Sequence, residues 1–568
     1  MIKKSIKTNS YIITGYLLGA LAASLAQAQI APDAGSILRE QQRPALDLPT
    51  RAPPPVTLEE PARPAAKPPA SAAELRFVLK RFVISGNTVF SRLTLQALVQ
   101  EYIGKEIGFA ELDAAAARIS RYYRERGYMV ARAYLPAQDI KDGSVDIAVL
   151  EGRFGKVEIN STSHVRDSVV RAHTARLPGD VVYELRLERQ LLLLNDLAGV
   201  GEARASLRPG AAVGESDLIV EVTPAPRASG SIELDNHGNR FTGAAHLTGR
   251  LNLLSPLGLG DTFNTLFTKG FNGLEYWRVG YHLPLGGDGL KLGTAYSSTH
   301  YRLGKTFAPL DAGGSADNYT VTASYPFMRR RNFNLYGQAA YDWREFQDRQ
   351  GSTATVTDKT TRVATLSLSG DARDSLLQGG ITVFSAVYGG GRTNIETPAA
   401  RAIDDASARV HGRFEKLNLN LLRLQSLSER LSTYLSFSVQ KAQKNLDSSG
   451  KFLLGGANGV RAYPQGEASG DSGYLATAEL RYTLTAAAVP GVLQPFAFVD
   501  AGGVTINEKP FAATANKRTL AGGGIGLSWA RANDFQVKVT VATRIGNERV
   551  ISDTDERTRG WLQAIKYF

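Results

Sequence analysis

Apolar and polar residues alternate in short runs through the C-terminal three-fifths of the chain. In 535–541 every odd position is apolar and every even one is polar, 476–483 alternates in the same way, and 431–440 does so except at Tyr434. A period of two predicts β-strands with one apolar and one polar face. About sixteen such runs lie between residues 227 and 568, with no convincing helix among them.

These strands suit either a soluble sandwich or a barrel with lipid outside and water inside. The lengths of the connections between strands distinguish these two folds. Some connections are short, namely 283–289, 326–332 and 530–534. Between them lie long polar connections: 298–318, 344–359, 392–409, 441–473, 505–518 and 546–560. Short turns at one end and long loops at the other are typical of outer-membrane barrels with strands of roughly ten residues. We therefore predict an all-β, sixteen-stranded transmembrane antiparallel β-barrel over 227–568.

Strand and helix patterns alternate twice before the barrel. Each unit has the order strand–helix–helix–strand–strand. Equivalent strand positions of the two units lie 73 to 75 residues apart, since Ile84 corresponds to Ile159 and Val145 to Leu218. The helices carry apolar stripes at helical spacing, namely Leu112, Ala115, Ile119 and Tyr122 in the first unit and Leu187, Leu191 and Leu194 in the second. A repeated order at a fixed period predicts two small α+β domains, 73–151 and 152–226.

The N-terminus has the features of a secretory signal over 1–28. Three lysines precede an apolar run, 11–25, which ends at Ala26-Gln27-Ala28, and the run is short for a membrane span of about 20 residues. Region 29–43 then contains a candidate short helix, Pro32–Arg43, and 44–72 is a Pro-rich linker that favours an extended backbone. The mature protein is therefore expected to be exported.

The amino-acid composition excludes several classes of catalytic and metal-binding site. The 568 residues carry a net charge of +12, with spread charges, no Cys, and seven His that lack ligand spacing. Thiol catalysis and Cys-ligated zinc are excluded, and nucleic-acid binding is not indicated. Gly304-Lys305-Thr306 lacks the first glycine of a P-loop, and neither a nucleophile elbow nor a zinc-protease motif is present. We expect no enzyme activity, no catalytic residue, no cofactor and no metal.

Two motifs carry a resemblance to a known family. The sixth long loop reads LGGANGVRAYPQGEASGD over 454–471, and FVDAG follows at 498–502. Both motifs and their order resemble the two-partner secretion transporters, the haemolysin activation/secretion branch of the Omp85 superfamily. The resemblance covers nearly the whole mature chain and identifies the two α+β units as POTRA repeats.

The resemblance implies that loop 441–473 folds back into the barrel and that Arg461 meets Asp500 on the barrel wall. The family often has Gly where this chain has Ala462, so a left-handed backbone there would be strained. The short helix resembles the family's plug, which occupies the lumen at rest. The candidate site residues are Gly459, Val460, Arg461, Ala462, Tyr463, Gly466 and Glu467 of the loop, Phe498, Asp500 and Gly502 of the wall, and Ile37, Leu38 and Arg39 of the plug helix.

Five further charged positions have simpler interpretations. Arg329, Arg330 and Arg331 lie in a short periplasmic turn, where solvated charge is expected rather than a contact with the transported protein. Glu479 and Arg481 are expected to line the lumen.

The expected function is export through the outer membrane, with the POTRA repeats in the periplasm. The POTRA repeats would capture a large unfolded exoprotein, an adhesin, haemolysin or contact-dependent toxin with an N-terminal secretion domain, and the barrel would translocate it without ATP. Outer-membrane lipid, lipopolysaccharide and the barrel assembly machinery are the other expected partners. The alternatives are an insertase that assembles other barrels, or a passive porin.

Overall fold

The structure is a computed structural model, and it describes residues 31–42, 76–140, 142–485 and 489–568. The signal expected at 1–28 and the linker expected at 44–72 lie outside these residues. None of the helices in the described part of the chain is long and apolar enough to cross a membrane.

Helix α1, Ala34–Gln41, is the short N-terminal helix expected within Pro32–Arg43. Asp33 caps it, since the Asp33 carboxylate accepts a hydrogen bond from the Ser36 backbone N–H while the Ser36 hydroxyl accepts one from the Asp33 backbone N–H. This reciprocal pair satisfies two amides that the first helical turn would otherwise leave open. Ile37 and Leu38 are buried inside the barrel, so a helix of only two turns is held by its surroundings.

The first α+β unit has the expected order, with two extra short strands. Its elements are β1 (Phe77–Val78), β2 (Arg81–Ser85), α2 (Arg92–Val99), β3 (Glu106–Ile107), α3 (Phe109–Glu125), β4 (Arg132–Tyr134) and β5 (Ser144–Leu150). Strands β2, β5 and β4 form a three-stranded sheet in that order, and helices α2 and α3 pack against it. Leu112, Ala115 and Ile119 of α3 are buried as predicted, and Tyr122 is half-buried against the same core. Tyr123, which was not predicted, is fully buried, and its hydroxyl donates a 2.8 Å hydrogen bond to Glu151.

The second unit repeats that order. Its elements are β6 (Arg153–Ser161), α4 (Asp167–Thr174), α5 (Glu184–Asn195), β7 (Val200–Pro209) and β8 (Glu215–Pro224), with the sheet order β6-β8-β7. Leu187, Leu191 and Leu194 of α5 are buried in its core, as their spacing predicts.

Sixteen antiparallel strands close into a barrel, which confirms the predicted fold class. They are β9 (Ala228–Asp235), β10 (His246–Leu254), β11 (Thr262–Gly270), β12 (Leu274–Leu285), β13 (Leu290–Arg302), β14 (Ala312–Arg329), β15 (Phe333–Gln350), β16 (Thr355–Asp374), β17 (Gly380–Ile395), β18 (Gly412–Ser426), β19 (Leu431–Ala442), β22 (Ser472–Tyr482), β23 (Val492–Thr505), β24 (Lys517–Arg531), β25 (Phe535–Arg544) and β26 (Thr558–Tyr567). The last strand closes on the first where 563–567 pairs with 231–235.

The alternating residues take the faces that the pattern predicts. Leu435, Phe437 and Leu480 are 46–47% exposed on the outside, where the barrel wall meets lipid. Tyr434, the exception in its run, lies beneath the Arg481 guanidinium at 4.3 Å. It is therefore a lumen residue, which explains why it interrupts the apolar–polar alternation.

Two expectations about the long loops were wrong. Strands β14, β15 and β16 have 18 to 20 residues, so much of 298–318 and 344–359 is strand rather than loop. These strands continue beyond the lipid, where both faces are polar and the alternation disappears. A helix, α6 (Pro398–Ala406), also stands in the loop between β17 and β18, although no helix was expected after residue 227.

The expectation of solvated arginines at 329–331 was also wrong for Arg329. Its guanidinium forms a two-bond ion pair with Asp196 at 2.7 and 2.8 Å, and the Arg331 backbone N–H donates to Glu188 of α5 at 2.8 Å. Arg189 adds a 2.8 Å hydrogen bond to the Pro326 carbonyl. The short turns of the barrel thus hold the second α+β unit, which marks this end as periplasmic.

Candidate functional site

The sixth loop folds into the barrel between β19 and β22, as the resemblance implied. Two short strands, β20 (Phe452–Leu453) and β21 (Ser469–Gly470), pair at its base. Its tip is buried against the inner wall, where apolar residues of the loop and of three wall strands form one cluster: Leu454, Val460, Ala462, Tyr463, Phe496, Phe498, Leu520 and Ala542. The loop is therefore packed like a protein core on one side while the other side faces the lumen.

Arg461 forms the centre of the site. Its Nε and Nη2 donate to the two carboxylate oxygens of Asp500, both at 2.8 Å, and its backbone N–H donates to Asp500 at 3.1 Å. The guanidinium carbon lies 3.4 Å from the ring centre of Phe498. Arg461 is 5% exposed and Asp500 fully buried. The planar fork of arginine matches this two-bond geometry, which lysine cannot reproduce.

Glu479 is a second carboxylate on the same arginine. Its Oε1 accepts from Arg461 Nη1 at 2.6 Å, and its Oε2 accepts from Arg481 Nε at 2.8 Å. The sequence placed Glu479 and Arg481 in the lumen but did not predict that Glu479 pairs with Arg461. The alternation of apolar and polar residues on β22 was the sequence signal that could have suggested this pairing, because it places Thr477, Glu479 and Arg481 on the inward face of the strand. Thr477 also takes part, since its hydroxyl donates to Asp500 at 2.9 Å.

Other motif residues anchor the loop to its surroundings. The Glu467 carboxylate pairs with Arg518 and accepts a 2.9 Å hydrogen bond from the Ser552 backbone N–H. The Tyr463 hydroxyl donates to the Glu548 carbonyl at 3.0 Å, and the Trp561 indole N–H donates to the Arg461 carbonyl at 2.7 Å. The loop is thus fastened both to the wall and to the loop that precedes the last strand.

The backbone explains the small residues of the motifs. A Cβ at Gly502 would lie 2.5 Å from Leu454, and one at Gly459 would lie 2.0 Å from the Leu454 carbonyl oxygen, so both positions need glycine for close approach. Gly466 has φ of +84°, a left-handed value. The expected strain at Ala462 is not found, because Ala462 is absent from the residues with positive φ in the described part of the chain. Ala462 instead packs directly against Gly522.

Helix α1 occupies the lumen beside the loop. Ile37 and Leu38 pack with barrel residues that include Phe241, Tyr276 and Phe346. The Arg39 Nε donates to the Lys451 carbonyl of the loop at 3.2 Å. All three predicted plug residues therefore contact or approach the inner wall and the loop.

Lys359 of β16 joins the helix to the loop. Its ammonium lies 3.0 Å from the Asp33 carboxylate at the helix start and 2.7 Å from Asp447 of the loop. Ser448 adds a 2.7 Å hydrogen bond to Asp33, and Asp348 of β15 accepts one from the Ala34 backbone N–H at 2.7 Å. This cluster was missed by sequence reasoning, because its members are separated by up to 415 residues.

A cavity of about 810 Å³ remains between the helix, the loop and the wall. Short neutral polar side chains from β16 to β19 form much of its lining: Thr361, Thr365, Ser385, Thr393, Asn418, Asn420, Ser436 and Ser438. Among the described residues, no three His or acidic side chains are grouped closely enough to hold a metal ion.

Sequence profiles of two families match the chain. The profile of the haemolysin secretion/activation protein ShlB/FhaC/HecB matches residues 214–529, and that of the ShlB-type POTRA domain matches residues 77–152. The first match spans the end of the second α+β unit and most of the barrel. The second coincides with the first α+β unit.

Individual relatives agree with these families. The heme/hemopexin transporter protein HuxB of Haemophilus influenzae strain 86-028NP is 29% identical and aligned over 98% of each chain. The outer membrane transporter CdiB of Dickeya dadantii strain 3937 is 24% identical, with 86% of this chain and 84% of the relative aligned. Among solved structures, CdiB from Escherichia coli has the same fold, with a TM-score of 0.71 at 18% identity over both complete chains.

The family fits the secretion interpretation and not the insertase alternative. The profile match covers more than half of the chain, and the barrel and the first POTRA domain lie where the family requires them. The chain therefore belongs to the haemolysin secretion/activation family ShlB/FhaC/HecB and is an outer-membrane transporter of the two-partner secretion type, which secretes a partner exoprotein from a periplasm that contains its POTRA domain.

Proposed function

We propose that the barrel exports one large exoprotein as an extended chain, and that helix α1 and the Arg461 loop together control access to the lumen. The observation that supports this most is the Lys359 cluster, which ties the helix to the loop through Asp33 and Asp447 at 3.0 and 2.7 Å. Ion pairs and hydrogen bonds can be exchanged for equivalent contacts with another chain. The resting state is therefore closed by contacts that an arriving exoprotein can replace.

The POTRA repeats are proposed to capture the exoprotein. Each three-stranded sheet ends in edge strands, β2 and β4 in the first repeat and β6 and β7 in the second. An extended segment can add to such an edge through main-chain hydrogen bonds, which demand little of its sequence. The exoprotein is of the adhesin, haemolysin or contact-dependent toxin type, and it is recognised through its N-terminal secretion domain.

One sector of the lumen wall suits a moving chain. On β16 to β19 the cavity is lined mostly by threonine, serine and asparagine, with Lys416 as the charged residue among them, and these side chains can exchange hydrogen bonds with a passing backbone. Charged residues such as Arg344, Glu479 and Lys538 line other parts of the same cavity. Folding of the exoprotein outside the cell then makes export irreversible without ATP. No covalent chemistry is required of the transporter, and the barrel assembly machinery inserts it.

A secretion assay tests this function. A candidate large exoprotein with an N-terminal secretion domain is produced with and without this transporter, and its amount is measured in the medium and in the periplasm. We expect secretion only when the transporter is present, with periplasmic accumulation otherwise. Equal release in both strains, with the barrel inserted, would refute the proposed function.

A further inference from the structure

Three arginines stand side by side on adjacent strands of the barrel. Arg362 of β16 lies directly opposite Arg392 of β17, and Arg392 lies directly opposite Arg413 of β18. Directly opposed residues on neighbouring strands point to the same face. Arg362 is also opposite Trp343 of β15, with its guanidinium carbon 4.8 Å from the ring centre. The four side chains form one continuous row.

The row lies on the outer face. Its sequence neighbours Thr361, Val363, Thr393 and Phe414 are buried on the lumen side, so the arginines between them point outward, and all three are exposed. Farther down the same strands the outward residues are apolar, with Leu366 65% and Tyr388 47% exposed. The row therefore stands at the upper limit of the lipid-facing surface.

The height of the row agrees with this placement. Trp343 is ten residues from Phe333, where β15 leaves its short periplasmic turn. At about 3.4 Å per residue and a tilt of about 45°, that distance is about 24 Å along the membrane normal. The apolar band of such barrels is about 25 Å tall, so the three arginines reach the head groups of the outer leaflet.

Across the described residues, none of the three arginines has an ion pair within 4.0 Å. Carboxylates do lie on this face, since Asp317, Glu345, Asp358 and Glu396 line the adjoining cleft. Several carboxylates of this face are bonded elsewhere: Glu415 accepts from Gln443 at 2.9 Å, Glu396 from Thr360 at 3.2 Å and Asp358 from Gln347 at 2.9 Å. Like charges at directly opposed strand positions destabilise a sheet. A row that is destabilising without a partner indicates an anionic ligand.

We propose that Arg362, Arg392 and Arg413 bind the phosphate groups of a phosphorylated glycolipid, lipopolysaccharide, of the outer leaflet. Guanidinium groups match phosphate oxygens two by two. The adjoining cleft of about 750 Å³ has Trp343, Arg362 and Arg392 at one end and the carboxylates of Asp317, Glu345, Asp358 and Glu396 in the rest of its lining. The phosphates therefore belong at the arginine end, and the cleft offers room only for the uncharged hydroxyls of the adjoining sugar. The proposal rests on the outer-membrane position of the barrel and not on the transport of an exoprotein.

The test compares two triple variants of the purified full-length protein in detergent. Arg362→Gln, Arg392→Gln and Arg413→Gln remove the row. The matched control removes three exposed POTRA arginines that also lack an ion pair among the described residues: Arg92→Gln, Arg121→Gln and Arg132→Gln. Affinity is measured for lipopolysaccharide, for dephosphorylated lipopolysaccharide and for inorganic phosphate, and heat-modifiable migration on a gel verifies that each barrel is folded.

We expect the outer-face variant to bind lipopolysaccharide about tenfold more weakly or worse, the single variant Arg392→Gln to lie between, and the control to be unchanged. Dephosphorylated glycolipid should bind the wild type as weakly as intact glycolipid binds the variant. Equal affinities of wild type and outer-face variant for lipopolysaccharide would overturn the proposal. An equal loss of lipopolysaccharide affinity in the POTRA control would overturn it too. So would displacement of lipopolysaccharide by inorganic phosphate at an equal concentration of phosphate groups. Exoprotein secretion, measured separately, reports only on the proposed function.

Discussion

Replacement of Arg461 by alanine should release the sixth loop while leaving the barrel closed. The substitution removes the guanidinium from Asp500 and Glu479, which are both buried. Asp500 keeps only two uncharged donors, the Thr477 hydroxyl and the backbone N–H of residue 461. Breaking a buried, hydrogen-bonded ion pair costs about 3–5 kcal/mol, because the remaining charge stays out of water. The barrel strands keep their ladders, since Arg461 contributes no strand pairing.

That cost can be converted into loop populations. About 3–5 kcal/mol lowers the ratio of docked to undocked loop by a factor of about 10² to 5 × 10³. We expect exoprotein in the medium to fall to background while the transporter remains heat-modifiable and outer-membrane located. Added protease should cut the released loop more readily in intact cells.

Controls separate the Arg461 pair from its neighbourhood. Arg461→Lys keeps the charge but loses the fork, so an intermediate loss is expected. Arg481→Ala removes only the second partner of Glu479 and should have a smaller effect, because Arg481 does not contact Asp500. Asp500→Ala added to Arg461→Ala should do no further harm. Normal secretion by Arg461→Ala, or losses of the same size in Arg461→Ala and Arg481→Ala, would refute this reasoning.

Three further predictions concern the plug and the repeats. Ile37→Asp places an unpaired carboxylate in the apolar seat of α1 and should raise ion conductance in planar bilayers; unchanged conductance would mean that the helix does not close the lumen. Lys359→Ala leaves Asp33 and Asp447 unpaired and should raise the open probability about tenfold or more, whereas Lys441→Ala, which breaks an exposed pair with Glu508, should change it little. Deletion of 77–224 should abolish capture of the exoprotein in a pull-down, and retained binding would transfer recognition to the barrel.

Much of the fold follows from local patterns. Period-two alternation is a property of each strand alone, and a barrel with lipid outside makes it visible in the sequence. The repeated strand–helix order could also be predicted, because the apolar spacing of each helix and strand is a property of that element alone. The pattern failed where strands leave the lipid, as in β15 and β16, since both faces are then polar. It also failed at α6, a nine-residue helix with a proline at its start and no apolar stripe packed on a sheet.

The candidate site was only partly predictable. Arg461 and Asp500 were found because their motifs are distinctive and resemble a family. Glu479 could be placed in the lumen by alternation, but its bond to Arg461 depends on how far the loop folds inward. Arg329 was assigned to solvent, because nothing in its short turn reveals that Asp196 stands opposite it.

The strands, their faces and the repeats could be predicted from the amino-acid sequence, since hydrophobic burial acts on each element through its own period. Which charges meet depends on the folded chain as a whole. Asp33, Lys359 and Asp447 lie far apart in the chain, and they come together because barrel closure, loop and helix place them in one lumen. An ion pair depends on distances of a few ångströms between side chains, and such distances are set by the assembled fold rather than by any local pattern.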